Sequence, residues 1–171
     1  MRIILVGKAA SGKDYLRGML VAEGLTPDVS YTSRPPREGE EDGVAYNFIS
    51  DMEFSTLVRR GKMHEHVEFN GWQYGTTNVS WRNSDVFIMT PSGINQISKE
   101  DRNDCVVVYI DIPLDVRRSR LMERSDSDKV ERRILADEED FKGFTDYDIQ
   151  ILDENFDVKI ARVVKEFASN A

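Results

Sequence analysis

The 171 residues hold only one cysteine and two histidines, and that scarcity removes whole classes of protein. A lone Cys105 cannot form a disulfide within the chain, which fits a reducing cytoplasm. Its place beside Val106-Val107-Val108 reads as a buried thiol. His64 and His66 flank Glu65 without a third His or Cys partner, so a histidine-built metal centre is not expected. Long apolar runs are missing too: none approaches the roughly 18 residues that span a bilayer. The N-terminus reads as a strand rather than a signal peptide. Positive charge is short, with 23 Lys and Arg against 31 Asp and Glu and a net charge of −8. This excludes a protein that coats a nucleic acid polymer, which needs a basic face. Neither nucleic acid nor membrane is an expected partner, and any bound anion must be caught by a local cluster of Lys and Arg.

What remains is the composition of a globular domain, 40% hydrophobic and 32% charged, long enough to bury one core. Its most telling run is Gly7-Lys8-Ala9-Ala10-Ser11-Gly12-Lys13-Asp14, placed between the apolar Ile3-Ile4-Leu5-Val6 and a helical pattern at Tyr15, Leu16, Met19 and Leu20. Strand, glycine-bearing loop and helix in that order make a P-loop. Backbone N–H groups and a helix N-terminus surround phosphates, and Lys13 neutralises them. Asp14 stands where a magnesium-binding hydroxyl residue is usual, and Ala10 where a glycine is usual.

Further along, strand and helix patterns alternate. A helix at about 12–23 ends at Gly24. Residues 26–50 are polar and turn-rich, with a short strand around Tyr46-Asn47-Phe48-Ile49. Asp51 is the expected N-cap of a helix through about Gly61. Residues 63–78 alternate like paired strands with Gly71 and Gly75 at turns. Strands are expected at Val86–Met89, Cys105–Ile110 and about 148–152. Helices are expected from Pro113 to about Arg124, around Val130, Ile134 and Leu135, and at the C-terminus on a face of Ile160, Val163, Val164 and Phe167.

This alternation predicts an α/β fold of three layers with a central parallel sheet. Ligands of such sheets sit at the carboxyl ends of the strands, where Gly7, Thr90 and Asp111 fall. Residues 30–80 break the alternation and are expected to form a small mixed lobe. One domain of 1–171 results, with core 1–29, 81–115 and 142–171 and a helical lid at 116–141.

Arg34 and Arg37, three apart on a Pro-stiffened turn, can fork onto one phosphate, or can simply be solvated. Tyr46 and Tyr74 could donate hydroxyls to it, or pack half-buried. Glu65 on an alternating strand reads, by itself, as an exposed charge. Together these segments resemble the guanylate kinase family. The resemblance rests on Ser30-Tyr31-Thr32-Ser33-Arg34-Pro35-Pro36-Arg37-Glu38-Gly39-Glu40 with Gly43, Tyr46 and Phe48, on Glu65, and on Gly71 through Tyr74-Gly75-Thr76.

The resemblance implies an ATP- and magnesium-dependent kinase that phosphorylates GMP or dGMP. Arg34, Arg37, Tyr46 and Tyr74 would hold the monophosphate, Ser30, Glu65 and Thr76 would read the base, and Gly75 and Thr90 would also belong to the GMP site. A carboxylate suits guanine, which offers N1–H and N2–H₂ donors. Arg124 and Arg133 match the family's lid arginines and, with Lys13 and Arg37, would stabilise the transferring phosphoryl group. Gly7 to Tyr15, with Ala9, Ala10, Ser11 and Gly12, would hold ATP, and Asp153-Glu154 falls near its adenine. Arg117, Arg118 and Arg132 are expected to be solvated helix-face charges.

The family ends one strand with two carboxylates at positions that are Ile88 and Thr90 here. Asp14 could replace the missing acid as a magnesium ligand, or could simply favour the helix N-terminus; Asp111 is a second candidate. The Ser11-Gly12-Lys13-Asp14 ending is also similar to the P-loop of phage deoxynucleoside monophosphate kinases, which would place the enzyme in a host cytoplasm. A broad-specificity kinase and a non-catalytic binding module are the alternatives, and a monomer or homodimer is expected.

Overall fold

A computed structural model describes residues 1–123 and 130–170. In chain order the strands are β1 (Arg2–Val6), β2 (Tyr31–Thr32), β3 (Asn47–Phe48), β4 (Met63–Phe69), β5 (Trp72–Thr77), β6 (Val86–Ile88), β7 (Cys105–Ile110) and β8 (Ile149–Ile151). The helices are α1 (Lys13–Ala22), α2 (Asp51–Arg59), α3 (Asn78–Asn83), α4 (Pro91–Ile94), α5 (Lys99–Asn103), α6 (Leu114–Met122), α7 (Val130–Asp140) and α8 (Val158–Asn170).

Four strands form a parallel sheet in the order β6-β1-β7-β8. Side chains alternate across a strand, so a strand apolar on both faces must be covered on both. β1 shows this directly. Ile3 and Leu5 pack with Leu16 and Leu20 of α1 and Ala161 and Val164 of α8, whereas Ile4 and Val6 pack with Trp81, Phe87 and Tyr109. The other strands make a mixed sheet, β3-β2-β5-β4, in which only β2 and β3 are parallel. The expected α/β architecture and the separate mixed sheet are therefore present. Cys105 is buried in β7, where burial pushes its thiol up to about 12.

Four local expectations are corrected. Ser50, not Asp51, caps α2: its side chain accepts from Glu53 N–H while Glu53 accepts from Ser50 N–H, a reciprocal capping box. Gly75 lies within β5 rather than at a turn. A Cβ there would come within 2.6 Å of the Glu65 carbonyl oxygen on the adjacent strand. The buried face of α8 is Ala161, Val164 and Ala168, with Ile160 alongside, whereas Val163 and Phe167 are exposed. Small side chains bring α8 close to the sheet, and hydropathy alone favours the larger residues. Leu135 of α7 is likewise exposed.

α6 and α7 pack against the loop after β1 through a cluster of Ala10, Leu121, Val130 and Ile134. The two sheets, the loop after β1 and α7 line a cleft of about 780 Å³.

Candidate active site

The loop after β1 is shaped by backbone before any side chain matters. Ala10 and Gly12 both hold positive φ, 60° and 104°. For Ala10 that left-handed geometry costs about 1–2 kcal/mol, which its packing in the apolar cluster helps to offset. Gly7 leaves no room for a side chain, because a Cβ would meet Ser11 Oγ at 2.6 Å and the Ile110 carbonyl at 2.7 Å. Lys13 Nζ donates to the Gly7 and Lys8 carbonyls at 2.6 and 3.1 Å. The curl turns amides inward, and one of them already holds an anion: Ala9 N–H donates to Asp137 of α7 at 2.7 Å. A carboxylate seated on that amide indicates a loop suited to phosphate oxygens.

Asp137 is 4% exposed. Burial raises its carboxyl above the usual range, and Ala9 N–H, Lys13, Arg117 and Lys8 pull it back. Arg117, expected in solvent, is 2% exposed instead. Its Nε donates to the Ile112 carbonyl, and Nη1 lies 3.6 Å from Asp137. A buried guanidinium needs an acid, and Asp137 is that acid. The clue was present in sequence: Asp137 follows Val130 and Ile134 at helical spacing, an acid on an apolar face.

Gly7, Ala9, Ala10, Gly12, Lys13, Asp14 and Tyr15 line the cleft, whereas Ser11 is fully buried behind it. Asp14 is 80% exposed, with Arg17 at 3.4 Å. Asp111 does not line the cleft; its carboxylate accepts from the Tyr109 hydroxyl and from Gln150 Nε2, each at 3.0 Å. Asp153 and Glu154 are also outside the lining. Asp153 accepts from Asn155 N–H, and the Glu154 carbonyl accepts from Arg120, which also reaches the Ala10 carbonyl.

On the facing wall the cleft gathers Ser30, Arg34, Arg37, Tyr46, Glu65, Tyr74, Gly75 and Thr90. Arg34 is buried, stacked 5.4 Å from the Tyr46 ring, and forked onto Glu40 at 2.9 and 3.0 Å. Burial alone would raise the Glu40 carboxyl, but hydrogen bonds from the Arg34 side chain and Arg37 N–H, with the charges of both arginines, hold it below the usual carboxylate range. Burial, with a contribution from Asp14, pushes the Tyr46 hydroxyl up to about 12, so it is a neutral donor.

Glu65 is 6% exposed. One oxygen accepts from Thr76 N–H at 2.8 Å, and the other occupies the space where a Cβ on Gly93 would be, 2.9 Å away. Burial raises its carboxyl to about 7, with Asp28 adding to the rise. Thr76, expected to face the base, is fully buried behind Glu65 and holds it in place. Thr90 caps α4, its hydroxyl oxygen accepting from Gly93 N–H at 3.1 Å.

Arg133 and Arg132 of α7 also line the cleft, and Arg124 lies outside the described residues. Arg132 is not merely solvated: it donates to the Asn70 carbonyl at the tip of the β4–β5 hairpin, 2.8 Å away. Asp28, like Asp137 and the buried Arg117, is a residue that sequence reading missed. It is buried two residues before Ser30, and its carboxylate meets Ser30, Thr76 and Ser80.

A phosphate loop at the carboxyl end of a parallel sheet, facing a polar wall built on a second sheet, defines a P-loop nucleoside monophosphate kinase. Residues 1–170 match the family model described as guanylate kinase, and the chain belongs to the guanylate kinase family. It is 30% identical to the guanylate kinase of Alkalilimnicola ehrlichii, covering 98% of this chain and 87% of that protein. It is 33% identical to that of Symbiobacterium thermophilum, covering 96% and 81%. The crystal structure of guanylate kinase from Anaplasma phagocytophilum shares the fold, with a TM-score of 0.69 at 21% identity, covering 99% and 85%.

Proposed function

We propose that this chain transfers the γ-phosphoryl group of ATP to GMP or dGMP, with magnesium, in a cytoplasmic setting. The observation that carries this reading is a single cleft with the phosphate loop on one wall and Ser30, Arg34, Tyr46 and Glu65 on the other. ATP phosphates take the loop's amides, displacing Asp137 from Ala9 N–H. The Tyr46 and Tyr74 hydroxyls and the arginines Arg34 and Arg37 receive the monophosphate, and Glu65 reads the donor edge of guanine. Lys13, Arg37 and Arg133, with Arg124, offset charge on the transferring group. Transfer is direct and in line, with no covalent intermediate, so positioning and electrostatics supply the catalysis.

Magnesium, when bound, neutralises phosphate charge. Asp14 offers it a hard carboxylate oxygen on the cleft wall, the ligand type the ion prefers. Thr90, uncharged where the family has an acid, favours a second reading in which the base pocket accepts several (deoxy)nucleoside monophosphates.

A coupled ADP-release assay with ATP and each common monophosphate tests both readings. Turnover on GMP or dGMP well above AMP is expected. Equal kcat/KM for GMP and AMP would sink the role of Glu65, and GMP binding without turnover would leave only a binding module.

A further inference from the structure

We propose that Gln96 is a positioning residue for Glu65. Its carboxamide grips the backbone of His66, the next residue along β4, and so fixes which way the Glu65 carboxylate points. This rests on the reading above that Glu65 reads guanine.

β4 is an edge strand of the mixed sheet, paired with β5 on one side. The backbone groups on its outer side therefore have no strand to meet. At His66 a side chain from the central core takes that place. Gln96 Oε1 accepts from His66 N–H at 3.2 Å, and Gln96 Nε2 donates to the His66 carbonyl at 2.7 Å. A carboxamide carries an acceptor and donors in one plane, so it can engage both backbone groups of one residue as a neighbouring strand would. Only one orientation of the amide satisfies both bonds.

The grip falls where β4 is most free to slip. Met63 faces Thr77 and Glu65 faces Thr76, so the ladder gains a residue on β4 immediately before Glu65. Such irregularities re-aim side chains, and a slip of one residue sends a side chain to the opposite face. Gln96 is itself placed by the core. It follows α4, whose Ile94 is buried in one cluster with Val6, Phe87 and Met89, and its N–H donates to the Gly93 carbonyl at 3.0 Å. Gly93 in turn leaves the space that one Glu65 oxygen occupies. The backbone and the carboxylate of this part of β4 are thus both registered on one short segment, residues 91–96. Gln96 does not line the cleft, so it acts through β4 rather than on the ligand.

The test is a double-mutant cycle with Glu65→Gln. Gln96→Met keeps the bulk of the side chain and removes both bonds. Alone, it is expected to raise the KM for GMP about tenfold, the size of one net hydrogen bond, with the KM for ATP changed less than about twofold. Added to Glu65→Gln, it should raise the KM for GMP by less than about twofold, because the group it positions is already altered. Equal rises in both backgrounds would make Gln96 a general support and overturn the proposal, as would an unchanged KM for GMP in Gln96→Met. Hydrogen exchange reads the grip directly. The His66 amide of the nucleotide-free protein should exchange about tenfold faster in Gln96→Met, and an unchanged rate would also overturn the proposal. A parent protein that does not turn over GMP, or one indifferent to Glu65→Gln, would instead remove the reading of Glu65, and the exchange rate would still decide the grip.

Discussion

Glu65 on one wall of the cleft, and Asp28 behind Ser30 of that wall, are buried and hydrogen-bonded, whereas Asp14 on the facing wall is 80% exposed beside Arg17. The same side-chain chemistry is thus handled in opposite ways. A carboxylate removed from water must be fully partnered by the fold, so its position is fixed before any ligand arrives. An exposed one is held by solvent and takes its place from what it binds. The first arrangement suits discrimination between bases, which depends on unpaired groups being costly. The second suits a hydrated ion that arrives with its own shell.

The sharpest way to break this contrast is Glu65→Gln. Losing one acceptor at a buried site built for donors is expected to lower kcat/KM for GMP by roughly 10²–10³-fold, with the KM for ATP little changed. The carboxyl also makes a pH signature. Its value of about 7 lies above the ordinary 4.5. The stability it contributes is therefore complete below about pH 4.5 and lost as pH rises through about 7. Thermal midpoints of the nucleotide-free protein should fall across that window, and less so in Glu65→Gln. GMP affinity should rise over the same window as the carboxylate forms. A flat profile for both would show that Glu65 is not held as the structure has it.

Asp14 should behave in the opposite manner. Asp14→Asn is expected to lower kcat by about 10²-fold, while Asp14→Ser, which restores a hydroxyl ligand, stays within about tenfold of the parent. Neither should shift the thermal midpoint much, because the side chain is exposed. Near-native rates in both variants would rule out a metal contact. The smallest effect is expected at Asp137. Removing its carboxylate in Asp137→Ala frees the Ala9 amide and should lower the Kd for ATP about fivefold, measured by calorimetry. Loss of the buried partner of Arg117 should at the same time lower the melting temperature. Weaker ATP binding would instead assign Asp137 to the bound state.

How much of this was legible in the sequence follows from where each residue's partners lie. Gly7 to Lys13 could be read because local backbone shape fixes the loop's role and its letters are constrained in order. Arg34 and Tyr74 were candidates on their own chemistry and spacing, whereas Glu65 became one only through the joint resemblance to a family, since alone it is an ordinary surface residue type. Asp28, Arg117 and Asp137 were missed because charged residues are by default exposed. Their burial depends on partners far along the chain: Ser80 lies 52 residues from Asp28, and Ala9 lies 128 from Asp137. Thr76 was assigned to the ligand when its amide serves Glu65. Spacing says that two residues are near, but not which stands in front. The face of α8 was misread because Ala161 and Ala168 pack closely for being small, a gain that hydropathy does not weigh.

The tight spaces at Gly75 and Gly93 carry a consequence for mutational tolerance. Neither glycine offers a polar side chain, yet one added methyl at Gly93 would fall on a Glu65 oxygen, and one at Gly75 on the Glu65 carbonyl. On the proposed role of Glu65, base choice is vulnerable at sites that a survey of polar residues would overlook. A lineage that drifts toward new bases, or an engineer who steers it there, has its shortest route through absent atoms.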